Sequence, residues 1–397
     1  MSLRCVHAAS GEADAQAAWA AVHSQLAAQA AQAAQHGGFA PTLAFVYLTD
    51  HHAAAAETLL AGVRSAWPGI AVTGCSGIGV AATGTEYFDQ PGLAVMLANL
   101  PRERFTLFSG RSPLPRDAAW AALVHADGAT PELQELVDEL SERVQSRYLF
   151  GGIAQGRTRT VLLADAVFDG GLAGVAFDAE VALVSRVTQG CQPVGRSHRI
   201  TRGEGSVVLA LDDEPALTVL LRELGVDLAE PRRAVPVLRS TLVGLSDAGD
   251  AMLARGGQFG TDTRVRHLIG LDPNRLGFAV ADSVAPDMQL AFCQRHVEAA
   301  RRDLVRICTE VREEVEAGAT SAVPAAAGTE AEPRRIAGAI YVSCNGRGGA
   351  HFGAPSAELQ IIQRALGPVP LVGFFAGGEI ARHHLYGYTG VLTAFVA

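Results

Sequence analysis

Apolar residues recur at steps of three and four in four stretches, and each stretch predicts an amphipathic helix. Trp19, Val22, Leu26, Ala30 and Ala33 form one stripe on a Gln/Ala background. Thr130-Pro131 supplies an N-cap and a first-turn proline ahead of Leu133, Leu136, Val137, Leu140 and Val144. Leu217, Leu220, Leu221 and Leu224 lie between Pro215 and the stop residue Gly225. Val297, Ala300, Leu304, Cys308, Val311 and Val315 form the apolar face of a long helix with charge on its other side. Between these fall β-type runs at Leu43–Leu48, Ile70–Thr73, Leu93–Leu97, Thr160–Leu163, Val181–Val187, Val207–Leu211, Ile336–Val342 and Val391–Val396. Several follow one another with no helix between, so hairpins are mixed with strand–helix–strand units and a purely parallel sheet is not expected.

The chain echoes itself. Phe45-Val46-Tyr47-Leu48, a helical stretch to Trp67-Pro68, then Val72-Thr73-Gly74-Cys75-Ser76-Gly77-Ile78-Gly79 and Gly92-Leu93-Ala94-Val95 make the first copy. Ala339-Ile340-Tyr341-Val342, a helix to Leu366-Gly367-Pro368, Leu371 to Glu379 and Gly390-Val391-Leu392 make the second. A fainter version stands at Phe150-Gly151-Gly152 and Gly174-Val175-Ala176. The period is too long for a solenoid. The expected fold is α/β (mixed α+β), a pseudo-two-fold duplication of two halves, each a mixed β-sheet with helices on its outer faces. The halves are residues 1–195 and 196–397, with a seam near Gly190–Gly203. Ala317–Pro333, rich in Ala, Gly, Thr, Pro and Glu and without periodicity, reads as a mobile loop in the second half.

Composition narrows the chemistry. The 397 residues carry a net charge of −9, which argues against a nucleic-acid groove or a polybasic membrane face. All 32 basic residues are Arg. A phosphate-binding P-loop lysine and a Schiff-base lysine are thereby excluded. Cys5, Cys75, Cys191, Cys293, Cys308 and Cys344 are scattered without CxxC spacing, as in a reduced cytoplasmic protein. No apolar signal core follows Met1, and Gln, Ser and His spoil the uncharged stretch 15–35 as a membrane span.

Three places could carry chemistry. Tyr341-Val342-Ser343-Cys344-Asn345-Gly346-Arg347-Gly348-Gly349 is a strand entering a Gly-rich turn, where Arg347 could fork onto a carboxylate; equally, Cys344 could be a buried filler and Arg347 a solvated turn residue. Gly74-Cys75-Ser76-Gly77-Ile78-Gly79 resembles a nucleophile elbow but lacks its second glycine and its following helix, so a tight Gly turn fits better. Glu379 stands where the first copy has Val80; it could receive a ligand amine, act as a base, or pair with Arg382. The adjacent pairs His51-His52 and His383-His384 do not converge as metal ligands, and neither a metal nor a cofactor is expected.

Tyr-Val-Ser-Cys-Asn-Gly-Arg-Gly from Tyr341, followed by Pro368 to Ile380, resembles the C-terminal half of the FIST family (F-box and intracellular signal transduction proteins). Gly74-Cys75-Ser76-Gly77 with Glu86 is similar to the N-terminal half, although Val80 departs from the glutamate often found there. The resemblance implies an intracellular sensory module that binds small ligands such as amino acids and passes the bound state to a signalling partner. It transfers no catalytic residue. The expected ligand residues are Ser343, Cys344, Asn345, Arg347, Gly378, Glu379, Cys75 and Ser76, with Arg347 on the carboxylate and Glu379 on the ammonium of a zwitterion. Two other readings stay open: a hydrolase or transferase using Cys344 or Ser76 with His51, His351, His383 or Glu379 as acid–base partner, and a structural interaction module with an exposed apolar patch.

Overall fold

The computed structural model describes residues 2–35, 38–248, 259, 263–320 and 334–397. They divide into two compact units. Unit 1 comprises residues 1–188, 301–385 and 389–397; unit 2 comprises 189–300 and 386–388.

Unit 1 repeats one six-strand block three times. The first block is β1 (Cys5–Ser10), β2 (Leu43–Thr49), β3 (Ala71–Gly77), β4 (Gly79–Ala82), β5 (Thr85–Phe88) and β6 (Leu93–Ala98). The second is β7 (Phe105–Ser109), β8 (Ala119–Asp127), β9 (Val144–Ala154), β10 (Leu162–Ala164), β11 (Val167–Phe168) and β12 (Leu172–Phe177). The third begins with β13 (Leu183–Gln189) and, after the strands of unit 2, resumes with β22 (Ile336–Cys344), β23 (Leu371–Ala376), β24 (Glu379–Arg382), β25 (His384–Tyr386) and β26 (Thr389–Val396). Each block contains one parallel pair joined by a helix: β2–β3 through α2 (Ala56–Ala66), β8–β9 through α3 (Leu133–Glu142), and β22–β23 through α7 (Ala357–Leu366).

The three sheets have the same order: β1-β6-β2-β3-β10-β11, β7-β12-β8-β9-β24-β25 and β13-β26-β22-β23-β4-β5. The fourth and fifth strands of every block therefore leave their own sheet and complete another, in a cycle. The register is also repeated, with Val46 opposite Gly74, Val124 opposite Gly151 and Tyr341 opposite Gly373. The mixed α+β architecture with helix-covered mixed sheets is as expected, but the echo has three copies, and the faint one at Phe150-Gly151-Gly152 is complete.

Alternation along the strands explains the layers. On the first sheet Ala44, Val46, Leu48, Val72 and Val95 pack against Val22 and Leu26 of α1 (Ala15–Gln35) and against Leu59, Leu60 and Val63 of α2. On the third, Ala339, Tyr341 and Leu392 pack against Leu359 and Ile362 of α7 and against Leu304, Cys308 and Val311 of α6 (Val297–Thr320). The residues of the opposite faces meet one another in an aromatic interior. Phe395 lies 5.6 Å from Phe45 and 5.5 Å from Phe177, and Tyr47 stacks on Phe374 at 5.4 Å between ring centroids.

Unit 2 holds β14 (Cys191–Pro193), β15 (His198–Glu204), β16 (Val207–Leu211), β17 (Glu214–Pro215), β18 (Leu242–Ser246), β19 (Arg264–Asp272), β20 (Gly277–Val280) and β21 (Gln289–Arg295), with α4 (Ala216–Leu224) and α5 (Pro231–Ser240). Pairing of β21 with both β15 and β18 closes an antiparallel ring through β16, β20 and β19. Its core sets Val243, Leu245, Phe278 and Phe292 against Leu217 and Leu220 of α4, which stops at Gly225 in the left-handed conformation as its sequence predicts.

Three sequence expectations differ from what is observed. The spatial units do not follow the halves 1–195 and 196–397, because unit 2 interrupts the third block and the exchanged strands tie the blocks together. Thr130 does not cap α3: its hydroxyl accepts the Gly171 N–H at 2.8 Å, Glu132 is left-handed, and Val144 opens β9. Residues 317–320 are the last of α6, and the rest of the expected loop, 321–333, lies outside the described residues.

Candidate functional site

β22 runs out at Cys344 into a single 3-10 turn, Asn345–Arg347. Alternation sends Tyr341 and Ser343 toward α7, where they meet Glu358 in its first turn. The Tyr341 hydroxyl donates to Glu358 Oε1 at 2.7 Å and the Ser343 hydroxyl to Oε2 at 2.8 Å. Arg347 completes the cage: its Nε donates to Oε1 at 2.8 Å and its Nη2 lies 2.6 Å away. Arg347 and Glu358 are each only 1% exposed. Burial works against the guanidinium's charge, yet Glu358 outweighs it and holds Arg347 above its ordinary pKa. The expected open fork for a carboxylate is therefore already closed on an internal one.

Glu379 begins β24 and is fully buried. Register equates it with Val80 and with Leu162, so a carboxyl stands where two blocks place an aliphatic side chain. Its Oε2 accepts the Thr389 hydroxyl at 2.6 Å and the Thr389 N–H at 3.2 Å, and the Cys344 thiol also hydrogen-bonds the carboxyl. Burial pushes Glu379 up to about 8, against the lowering by Thr389, by the charge of Arg347 and by Cys344. Cys344, Arg347 and Glu379 thus belong to one cluster, as a shared site requires, but the cluster lies inside the protein.

The raised carboxyl predicts a pH dependence. Folded Glu379 keeps its proton to about pH 8, whereas the unfolded group releases it near the ordinary value of 4.5. The folded state then binds more protons across that window, so unfolding free energy falls as pH rises through it and levels off above. His125, which burial lowers to about 3, acts in the opposite sense below its ordinary 6.5 and is common to wild type and variant. Urea titrations of wild type and Glu379→Gln across this range should diverge, the variant losing the decline. Parallel curves would show that Glu379 is already ionised in the folded protein.

Above this cluster the carboxyl ends of the parallel pairs meet. Asn345 donates from Nδ2 to Gln155 Oε1. The next residues reach Asp50, which follows β2: the Arg157 N–H donates to Asp50 Oδ2 at 3.0 Å, and a Cβ on Gly156 would lie 3.4 Å from that of Asp50. The Gln155 N–H donates to the Ser76 carbonyl at 3.3 Å. Asp50 Oδ1 and Asn345 Oδ1 are both buried acceptors that receive no hydrogen bond among the described residues, His51 Nδ1 standing 3.5 Å from the former without bonding it.

The remaining expected residues have structural tasks. The Ser76 hydroxyl accepts the Val161 N–H at 2.9 Å, and burial raises the Cys75 thiol well above its ordinary pKa. The Gly378 carbonyl accepts the Ile153 N–H at 2.8 Å. All six cysteines are unbridged and buried. Glu358, Asp50 and Gln155 were not among the residues expected from the sequence. Glu358 had a signal, since helical spacing puts it beside the buried Leu359 and Ile362. Asp50 and Gln155 had none, because only tertiary pairing brings them together. Among the described residues no group of three or more His, Cys, Asp or Glu is placed to hold a metal, and no helix is long and apolar enough to cross a membrane.

Residues 42–214 match the FIST N domain and residues 216–382 the FIST C domain. The chain belongs to the FIST family. It is 31% identical over 390 residues to an uncharacterized protein of Mycobacterium tuberculosis, covering 92% of this chain and 96% of that one. It is 30% identical over 377 residues to an uncharacterized protein of Mycobacterium bovis, covering 90% and 92%. FIST domains are associated with signal-transduction sensing. The FIST N segment holds the first two blocks from β2 onward, and the FIST C segment runs from α4 to β24.

Proposed function

We propose that this FIST protein is a sensor that binds a small amino-acid-like ligand at the strand-end face and passes its state to a protein partner without turnover. The observation that carries the reading is the pair of buried acceptors without a hydrogen bond among the described residues, Asp50 Oδ1 and Asn345 Oδ1, flanking the Gln155–Arg157 segment. Two such acceptors are costly until a donor arrives, and an ammonium supplies donors and charge together. The carboxyl ends of parallel strands are also where open α/β sheets collect ligands. In this reading Asp50 and Asn345 take the ammonium, while Arg347, Cys344 and Glu379 form the responsive layer beneath. Arg347 is not the carboxylate clamp, since Glu358 occupies it.

Thermal unfolding of the full chain across a panel of amino acids, amines and simple carboxylates tests the idea. A ligand at 100 times its Kd adds about 2.7 kcal/mol to the folded state, enough to move the melting temperature visibly. Amino acids should shift it, simple carboxylates should not, and Asp50→Asn or Asn345→Ala should weaken binding at least tenfold. Silence across the amino compounds would end the proposal. The contact between Cys344 and Glu379 favours a second reading, a thiol enzyme. Rapid and selective alkylation of Cys344 near neutral pH would support it over the sensor.

A further inference from the structure

We propose that unit 1 carries a second binding site, a cleft that takes a small planar aromatic carboxylate. The cleft has a volume of 680 Å³ and is walled by β8 and β9 of one sheet, β13 and β26 of another, and the end of α6. Ligand pockets commonly span about 300–1,000 Å³. None of its lining residues belongs to the strand-end face, so this inference goes beyond the proposed function.

The walls select the body of the ligand. Trp120 on β8 is 46% exposed, although its neighbours Ala119 and Ala121 are buried. An indole left in water at the mouth of a cleft offers a flat face on which a second ring can stack. Phe150, Val184, Val315 and Val396 form a buried apolar floor. One polar line crosses it: the Tyr148 hydroxyl donates to Ser185 Oγ at 2.8 Å, and Ser185 and Thr393 hydroxyls lie 2.7 Å apart. That line can meet one polar substituent on an otherwise apolar ring.

The rim selects the charge. Arg186 lines the cleft but is held by Glu310 at 3.1 Å and Glu314 at 2.5 Å. Arg334 lines it too, is exposed, and has no carboxylate partner among the described residues. A guanidinium in this position can donate two parallel hydrogen bonds to a carboxylate, which an ammonium ligand cannot accept. The combination of an exposed indole, an apolar floor and one guanidinium with no carboxylate partner among the described residues fits an aromatic acid better than an aliphatic acid or an aromatic amine.

The test is calorimetric titration of the full chain with indole-3-acetate as the probe, beside tryptamine, which keeps the ring and reverses the charge, and acetate, which keeps the charge without the ring. Saturable binding of indole-3-acetate is expected, with both controls at least tenfold weaker. Trp120→Ala and Arg334→Ala should each weaken the probe at least tenfold at an unchanged melting temperature, and Arg334→Lys should restore only part of the loss. No saturable binding at millimolar probe would overturn the proposal, as would equal binding of tryptamine or undiminished binding by both alanine variants. Binding that appears only after removal of residues 321–333 would also count against it. Each of these failures leaves the strand-end reading standing, because the two sites share no residue.

Discussion

Glu358→Ala should unfold at a free energy lower by about 3–5 kcal/mol, the cost typical of leaving one member of a buried ion pair without its partner. The size follows from what the carboxylate holds. Its two oxygens accept hydrogen bonds from Tyr341, Ser343 and Arg347 Nε, with Arg347 Nη2 in ion-pair contact, all from the end of β22 and the turn after it. Removing the carboxylate leaves a guanidinium 1% exposed, with Phe352 beneath it at 5.1 Å, without its ion-pair partner. The double variant Arg347→Met with Glu358→Leu should recover much of the loss, because well-packed apolar replacements of a buried pair are often neutral. Chemical denaturation of the three proteins checks this. A single variant within about 0.5 kcal/mol of wild type, as for an ordinary surface change, would mean that Arg347 is solvated and the cage open.

Gly373→Ala should be harsher still, giving little or no soluble folded protein. A Cβ at that position would lie 1.7 Å from the carbonyl oxygen of Tyr341, its partner on the parallel neighbour. The same approach recurs at Gly74, 1.8 Å from the Val46 carbonyl, and at Gly151, 1.9 Å from that of Val124. Gly74 and Gly151 also have φ of 154° and 142°, which side chains with a Cβ rarely adopt. Backbone on both sides cannot yield as a rotamer can, so the parallel pair must separate. Gly170→Ala serves as the comparison, since a Cβ there meets nothing within 4 Å. It also has a positive φ of 82° and should therefore show only the cost of that conformation. Equal soluble yields of Gly373→Ala and Gly170→Ala would remove the close crossing as the reason for glycine.

These two sites show what the sequence disclosed. The apolar periods located α1, α4, α6 and most strands of the first and third blocks, because each pattern is local and needs only one buried face. The repeated glycines exposed the echo, since a close backbone crossing tolerates one residue type. The second block stayed faint because β8 and β9 are carried by Ala, Gly and Tyr-Leu-Phe rather than by β-branched runs. Arg347 was legible as a charge in a glycine-rich turn but not as a buried one. Its burial depends on Glu358, which stands on a helix 11 positions later, and nothing in the turn itself announces that partner. The strand-end face was harder, as Asp50, Gln155 and Asn345 come from three separate stretches that only the sheets bring together.

The exchanged hairpins govern how the chain can be made as well as how it stands. β4 pairs with β23, so Ala82 must find Val372, 290 positions further along the chain. Contacts that distant are slow to form, because loop closure precedes any reward. As the chain leaves the ribosome, β3 has its neighbour β10 about 90 residues later, but β4 and β5 wait with an unpaired edge until β23, which begins at Leu371, emerges. Such an edge invites pairing with other chains in the meantime. The cut between the two FIST segments near residue 215 consequently marks no separable part: a fragment ending there carries strands whose sheet has not yet been synthesised.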